Sequence, residues 1–503
     1  MSYRALCERH RRMSHLQHVE AIAAWDEAAM MPAGGGAARA EALGTLRVLV
    51  HEQATDPALG ELFQTADKER QQGALATWEA ANLREMRRLW EREICLPAEL
   101  VLAVSLAESR CEQAWRTLRA QNDWAGLLPL LEEVVARKRE VADALSARLG
   151  LSRYDALLDG YEPGARAAEI DALFADLRDF LPGFIAQALE RQKTRQVKQP
   201  MGPFPLPRQH WLGLEIMKRV GFDFQHGRLD ASHHPFCGGV PQDVRITTRY
   251  DEKDFAKSFM AVLHETGHAK YEQHLPAEWL DQPVGRARSM SVHESQSLLQ
   301  EMQVSRSRAF LEFAAPILKE AFSDEARRNP EFFEPANLFA YYTTVRPDYI
   351  RVDADEVTYP AHVILRYEIE RPLVEGNMQV KDVPEAWDAS MQELLGISTA
   401  GNYKDGCLQD VHWPAGLFGY FPTYTVGAMT AAQLFAAART ALPDLESQIA
   451  SGQMGPLNAW LTEHVWSKGS LLETRELITQ GTGAPLGTDA FKRHLKARYT
   501  DGA

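Results

Sequence analysis

Cysteine is sparse in this chain. The five residues Cys7, Cys95, Cys111, Cys237 and Cys407 are odd in number, far apart and free of any C-x-x-C pair. That pattern excludes a disulfide framework and a thiolate metal site, and it fits a reducing compartment. Surplus basic charge is missing as well: 55 Lys and Arg stand against 69 Asp and Glu, a net charge of −14. Nucleic acid is therefore not expected as a partner, since its binding needs a basic face. An anionic membrane surface gains nothing from this balance either. The first residues, MSYRALCERHRRMSHLQHV, lack the apolar core of a signal peptide, so a cytoplasmic location is expected. Long hydrophobic runs are absent too. One uncharged stretch, 415–438, is diluted by Gly416, Gly419, Gly427, Thr423, Thr425, Thr430, Gln433 and Pro422. It reads as a buried helix beginning after Pro422 rather than as the roughly 20 apolar residues of a membrane span.

Strand signals are few. The best is DVRITTRY at 243–250, after the turn-rich HHPFCGGVPQ at 233–242, which predicts a short hairpin or small antiparallel sheet. Helical periodicity covers most of what remains, with apolar residues at three- and four-residue steps in 126–149, 166–193, 209–220, 254–275, 291–322, 355–371 and 425–439. The expected fold is mainly α with a small antiparallel sheet. At 503 residues the chain exceeds one ordinary core. The proline-rich break KQPMGPFPLPRQ at 198–209 divides a helical part, 1–200, from a part with the chemistry, 201–503. The whole is read as one unit, without repeats or low-complexity segments.

The chemistry concentrates in FMAVLHETGHAKYEQHL, 259–275. Residues four apart share a helix face, so His264 and His268 can turn imidazole nitrogens toward one ion. Glu265 lies about 100° further round, placed to take a proton from water beside that ion. Phe255, Phe259, Val262 and Leu263 form an apolar stripe, and Asp254 sits where a helix start favours an acid. Chance supplies such a motif in about 0.04 chains of this size, so a bland solvated helix explains it poorly. A catalytic zinc needs a third protein ligand. The AKYEQHL after His268 carries no Gly and His at the offsets that would provide one. Spacing leaves Glu294, Glu301, His293 and His274 open, all but the last on SMSVHESQSLLQEMQ, 289–303.

With HETGH followed by HESQ, the sequence resembles the carboxypeptidase Taq family of zinc metallocarboxypeptidases. HPF occurs at His234-Pro235-Phe236, DxRxT at Asp243, Arg245 and Thr247, IRxxAD at 350–355 and GxxQDxHW at 406–413, and AWDEAAMMPAGGGAARAEAL at 24–43 is similar to a further family stretch. The resemblance runs from about residue 20 to 440. It implies a helix-rich, two-lobed peptidase with a deep cleft beside a small sheet, commonly a homodimer. It implies one Zn2+ per chain on His264, His268 and Glu294; Co2+ or Mn2+ can substitute, because similar N/O donor sets accept several divalent ions. The activity it implies is release of single residues from peptides with a free C-terminal carboxylate.

Beside the metal, Arg351 offers a bidentate fork for that carboxylate. The blander reading pairs it with Asp353 or Asp355, and the IRxxAD resemblance favours the substrate. An oxyanion on the scissile carbonyl needs donors, for which His234, His412 and Tyr420 are candidates. Strand 243–250 could offer an edge to the substrate backbone, while Asp243 and Arg245 read better as a structural ion pair. Gln409 and Asp410 read as supports behind the residues of the site or as loop anchors. Two rival functions stay in view. An oligopeptide-cutting endopeptidase would not need Arg351, and a non-catalytic peptide-binding metalloprotein would not need Glu265.

Overall fold

The computed structural model describes residues 2–501. Helices dominate it, and three strands form one sheet ordered β1-β3-β2: β1 Gly227–Ala231, β2 Phe236–Val240 and β3 Asp243–Thr248. The expected strand at 243–250 is β3, and the turn-rich stretch before it holds β2. The sheet is mixed rather than antiparallel. β2 pairs antiparallel with β3 through a tight turn at Pro241-Gln242, but β1 runs parallel to β3. A second correction follows from that order. With β1 on one side and β2 on the other, β3 is central and has no edge left for a substrate strand.

Two large hydrophobic clusters hold the chain together, with a smaller one of Tyr3, Leu6, Phe63 and Met86 at the N-terminus. The first joins Leu127, Leu131 and Phe174 to Ile364, Trp387 and Trp413. The second joins Leu212 and Ile246 to Phe259, Leu263, Phe310 and Trp460. One helix belongs to both. Pro422–Ala441 gives Val426 and Met429 to the first cluster and Ala431, Leu434 and Phe435 to the second. This is the uncharged stretch of the sequence, with Pro422 in the first turn, where its missing N–H costs nothing. Buried along most of its length, it is a wedge between two cores. Among the described residues, no helix is long and apolar enough to cross a membrane.

The HETGH helix, Phe255–Gln273, starts where Asp254 accepts from the backbone N–H groups of Ala256 and Lys257 at 3.0 and 3.3 Å. Phe255, Phe259, Val262 and Leu263 are buried as their spacing predicts, each contributing about 1.5–3 kcal/mol of apolar burial. The next helix, Met290–Leu298, carries HESQ and is capped by Ser289, which accepts from Val292 N. The sequence predicts one helix over 291–322, and the structure interrupts it. Leu299–Ser305 widens into a π-helical turn, and a fresh helix, Arg308–Ala321, begins at the Ser307 cap. Ser305 Oγ fastens that turn by donating to the Gln300 carbonyl five residues back, at 2.7 Å. Side-chain bonds of this kind lie beyond the reach of hydrophobic periodicity.

Candidate metal centre

Two glycines set how closely three helices approach. A Cβ on Gly267 would stand 2.4 Å from the Gln296 carbonyl oxygen, and one on Gly427 would stand 3.0 Å from Glu294 Cβ. The HESQ helix is thus pressed between the HETGH helix and the wedge helix, with Glu294 facing the histidines. Glu294 Oε2 lies 3.3 Å from His268 Nε2 and 3.8 Å from His264 Nε2. One ligand atom from each of these three residues falls within 4.8 Å of the others, a grouping able to hold a metal ion. Glu265 is buried beside them, 8% exposed.

The other candidate ligands have different places. Glu301, on the π-helical turn, accepts from His264 Nδ1 at 2.9 Å, and its second oxygen accepts from Arg306 at 2.6 Å. His293 Nδ1 lies 2.6 Å from His268 Nδ1, and His293 Nε2 lies 2.8 Å from Glu272 Oε1. Both therefore stand behind the two histidines of HETGH. His274 turns away, donating through Nδ1 to the Lys270 carbonyl at 2.8 Å and packing on Trp466. Ligating histidines need such acceptors on the far nitrogen to fix ring and tautomer, but spacing alone does not say which residues provide them.

The electrostatics suit a cation. Burial alone would lower His264, but the charge of Glu294 and the Glu301 hydrogen bond outweigh it and lift the imidazole to about 10. Burial drops neighbouring His268 to about 4, so the pair carries one positive charge, on His264, when no ion is bound. Glu294 resists burial and stays ionised because both histidines favour its charge. Burial pushes Glu265 up to about 7, near the value at which a general base works best in neutral solution. Two imidazole nitrogens and one carboxylate oxygen, with the far nitrogens already engaged, fit a divalent ion that keeps a position open.

A second group adjoins the first. Arg351 is 4% exposed. Its Nε and Nη2 donate to Asp410 Oδ1 at 3.0 and 2.8 Å, and its Nη1 donates to Tyr359 OH at 2.8 Å. The expected alternative partners are engaged elsewhere: Asp353 pairs with Lys257, and Asp355 accepts from the backbone of Arg346, Val357 and Thr358. Asp410 also receives Arg366 Nε at 2.6 Å and, held by two guanidiniums against burial, stays ionised far below the ordinary range. Gln409 accepts from Arg351 N and donates to the Tyr349 and Asp405 carbonyls, the loop anchoring read from sequence. A guanidinium has five N–H donors, so these contacts leave Arg351 with capacity for another anion.

Arg351 lies 4.9 Å from the Tyr424 ring centroid. His412 Nε2 is 3.1 Å from Tyr424 OH, and Tyr420 packs on His412, Tyr424 and Tyr161. Burial, with Arg351 nearby, lowers His412 to about 4 and keeps it neutral. Burial raises Tyr359, Tyr420 and Tyr424, and in each case the charge of Glu294 adds to the rise, so the two groups share one electrostatic space. His234 joins neither group: its ring is exposed, on the turn before β2, and packs on His233. Asp243 and Arg245 form the expected ion pair at 2.7 Å, with the guanidinium 4.4 Å from the Trp25 ring. Tyr359, Tyr424 and Arg366 have no motif spacing to announce them.

Two histidines one helical turn apart, a buried carboxylate next to them and a glutamate from the following helix define a metallopeptidase of the HExxH type. Residues 5–499 match the model of the carboxypeptidase Taq (M32) metallopeptidase family. The chain belongs to that family and is a metallocarboxypeptidase. It is similar to thermostable carboxypeptidase 1 of Thermus thermophilus, with 39% identity over 99% of this chain and 98% of the relative. Against carboxypeptidase 1 of Bacillus subtilis the identity is 32% over 98% and 96%. Among solved structures, Trypanosoma cruzi metallocarboxypeptidase 1 superposes with a TM-score of 0.97 at 44% identity, covering 99% of both chains. Pyrococcus furiosus carboxypeptidase superposes at 0.92 with 33% identity and 99% coverage of both.

Proposed function

We propose that His264, His268 and Glu294 hold a single Zn2+, that Glu265 is the general base and that Arg351 receives the terminal carboxylate of a peptide. The observation that carries this reading is the adjacency of the two groups: the wedge helix that presses Gly427 against Glu294 also carries Tyr424, whose ring centroid lies 4.9 Å from Arg351. When bound, the ion supplies Lewis acidity to the scissile carbonyl and makes water acidic enough to give up a proton near neutral pH. Glu265 takes that proton and later returns it to the leaving amine. Arg351, braced by Asp410 and Tyr359, registers the free end, so that only the last peptide bond sits beside Glu265. Tyr420, kept protonated by burial and by Glu294, donates to the developing oxyanion, and His412 steadies Tyr424 beside it. His234, on the exposed turn before β2, is left as a contact for substrate residues further from the end. Co2+ or Mn2+ would serve in place of zinc, because similar N/O donor sets accept several divalent ions.

The test is mass spectrometry of products from paired peptides with free and amidated C-termini, using metal-loaded and chelator-treated protein. Stepwise loss of single residues from free ends only, and only with metal, is expected. Internal cuts in both peptides would remove Arg351 from its role and favour an endopeptidase. The same reading takes residues 1–503 as one peptidase unit, lobes 1–200 and 201–503, acting in the cytoplasm as a homodimer. Sedimentation equilibrium should then return twice the 56.5 kDa chain mass.

A further inference from the structure

The two histidines of HETGH are backed differently. His264 meets a carboxylate directly, and Arg306 offsets the charge of that carboxylate. His268 meets another imidazole, His293, which meets Glu272 in turn. The geometry of the second chain admits one order of protons. A His268 that gives Nε2 to a metal carries its proton on Nδ1. That Nδ1–H donates to His293 Nδ1, so His293 holds its own proton on Nε2, and this proton points at Glu272 Oε1. The His293 ring is clamped for the task, with centroids 4.6 Å from His268 and 5.5 Å from Tyr271. Tyr271 is fixed in turn by accepting from Arg288 N at 3.2 Å. Glu272 lies on the HETGH helix one turn beyond His268, so a single helix supplies both ends of the chain and the HESQ helix supplies its middle. Among the described residues, no lysine or arginine pairs with Glu272 within 4 Å, unlike Glu301.

We propose that Glu272 is a positioning residue for the metal: through His293 it fixes the tautomer and ring orientation of His268 and passes it negative charge, which strengthens His268 as a donor. The proposal rests on the reading of His264, His268 and Glu294 as ligands. It also assigns the histidine of HESQ a task, so that the helix supplying Glu294 supplies the support of His268 as well. Outer partners of ligating histidines are worth about 10–100-fold in metal affinity. Glu272→Gln keeps an oxygen that can accept from His293 and removes only the charge. His293→Ala removes the connection itself.

The experiment is competition of the full-length protein with a chelator for Zn2+, together with the visible absorption spectrum of the Co2+-loaded protein and the melting temperature of the metal-free protein. Glu272→Gln should weaken Zn2+ about 10-fold, shift the Co2+ absorption bands and leave the metal-free melting temperature unchanged. His293→Ala should weaken Zn2+ by at least as much, and adding Glu272→Gln to it should cost nothing further. Full Zn2+ affinity and an unshifted Co2+ spectrum in Glu272→Gln would overturn the proposal. Additive losses in the double variant would overturn it too, because the two residues would then act separately. His268→Ala serves as the control: retention of tight Zn2+ binding there would defeat the ligand reading instead.

Discussion

The metal group and the Arg351 group differ in how the chain assembles them and in the charge they leave uncompensated. His264, Glu265, His268, Glu294 and Glu301 come from one helix and its immediate successor, packed through Gly267. Arg351, Tyr359, Arg366, Asp410, His412 and Tyr424 come from a loop, a helix, a second loop and the wedge helix. In the metal group, Arg306 offsets Glu301, so with neutral histidines Glu265 and Glu294 remain for a dication. In the other group two guanidiniums share Asp410, leaving one positive charge for a carboxylate. In the proposed function, each buried group thus receives from its ligand a charge opposite to its own. Burial without a compensating charge is costly, and in the ion-free protein the proton that His264 gains supplies that compensation beside Glu294.

The sharpest way to separate the two groups is to disable chemistry without touching either ligand site. Glu265→Gln should reduce turnover by about 10²–10⁴-fold, the range for a positioned general base, with metal still bound by elemental analysis. An active Glu265→Gln enzyme would move the base elsewhere. A smaller but broader effect is expected at the contact between helices. Gly267→Ala forces a Cβ against the Gln296 carbonyl oxygen, at 2.4 Å unless the helices part, and overpacking of this kind costs about 1–3 kcal/mol. Denaturant titration should register that loss, and chelator competition should show weaker metal binding, because Glu294 travels with Gln296. Arg351-dependent recognition of the free end should survive.

A gradual effect, spread over the pH range, belongs to the Arg351 side. Glu370 is fully buried, accepting from Tyr154 OH, Trp413 Nε1 and Gly419 N, and burial pushes it from 4.5 up to about 7. Its folded value is raised, so the stability linked to its proton is complete below about pH 4.5 and is lost as pH rises through about 7. Each tenfold change in proton affinity is worth about 1.4 kcal/mol, which makes the loss on the order of 3 kcal/mol. Urea midpoints measured from pH 5 to pH 8 should fall, and in Glu370→Gln they should fall less steeply. An equal slope in that variant would assign the dependence to other groups, Glu162 first among them, since burial lifts it to about 7 as well.

The same contrast explains what was legible in the sequence. His264, Glu265 and His268 follow from helical spacing alone, as do the stripe on their helix and its Asp254 cap. Glu294 is ambiguous by spacing, since Glu301, His293 and His274 share its neighbourhood, and only the resemblance or the fold separates them. The second set of partners stays hidden because a π-helical turn and a histidine-to-histidine contact leave no period in the chain. Arg351 is legible only through resemblance. Its partner is Asp410, 59 positions away, and no local rule prefers that residue to Asp353 or Asp355. The sheet shows the same limit: alternation finds β3 and a turn finds β2, but β1 is short, and its parallel pairing depends on packing that the sequence does not display.

The central claim is that the Arg351 group reads the free end while the metal group does the cutting. The most direct test is Arg351→Met, assayed with metal content measured on matched peptides with free and amidated C-termini. The account predicts full metal occupancy, with kcat/KM for the free-ended peptide reduced about 100-fold or more, as expected for losing a buried charged hydrogen-bond partner. The preference over the amidated peptide should disappear with it. A variant that keeps that preference would contradict the account, because the free carboxylate would then be recognised elsewhere.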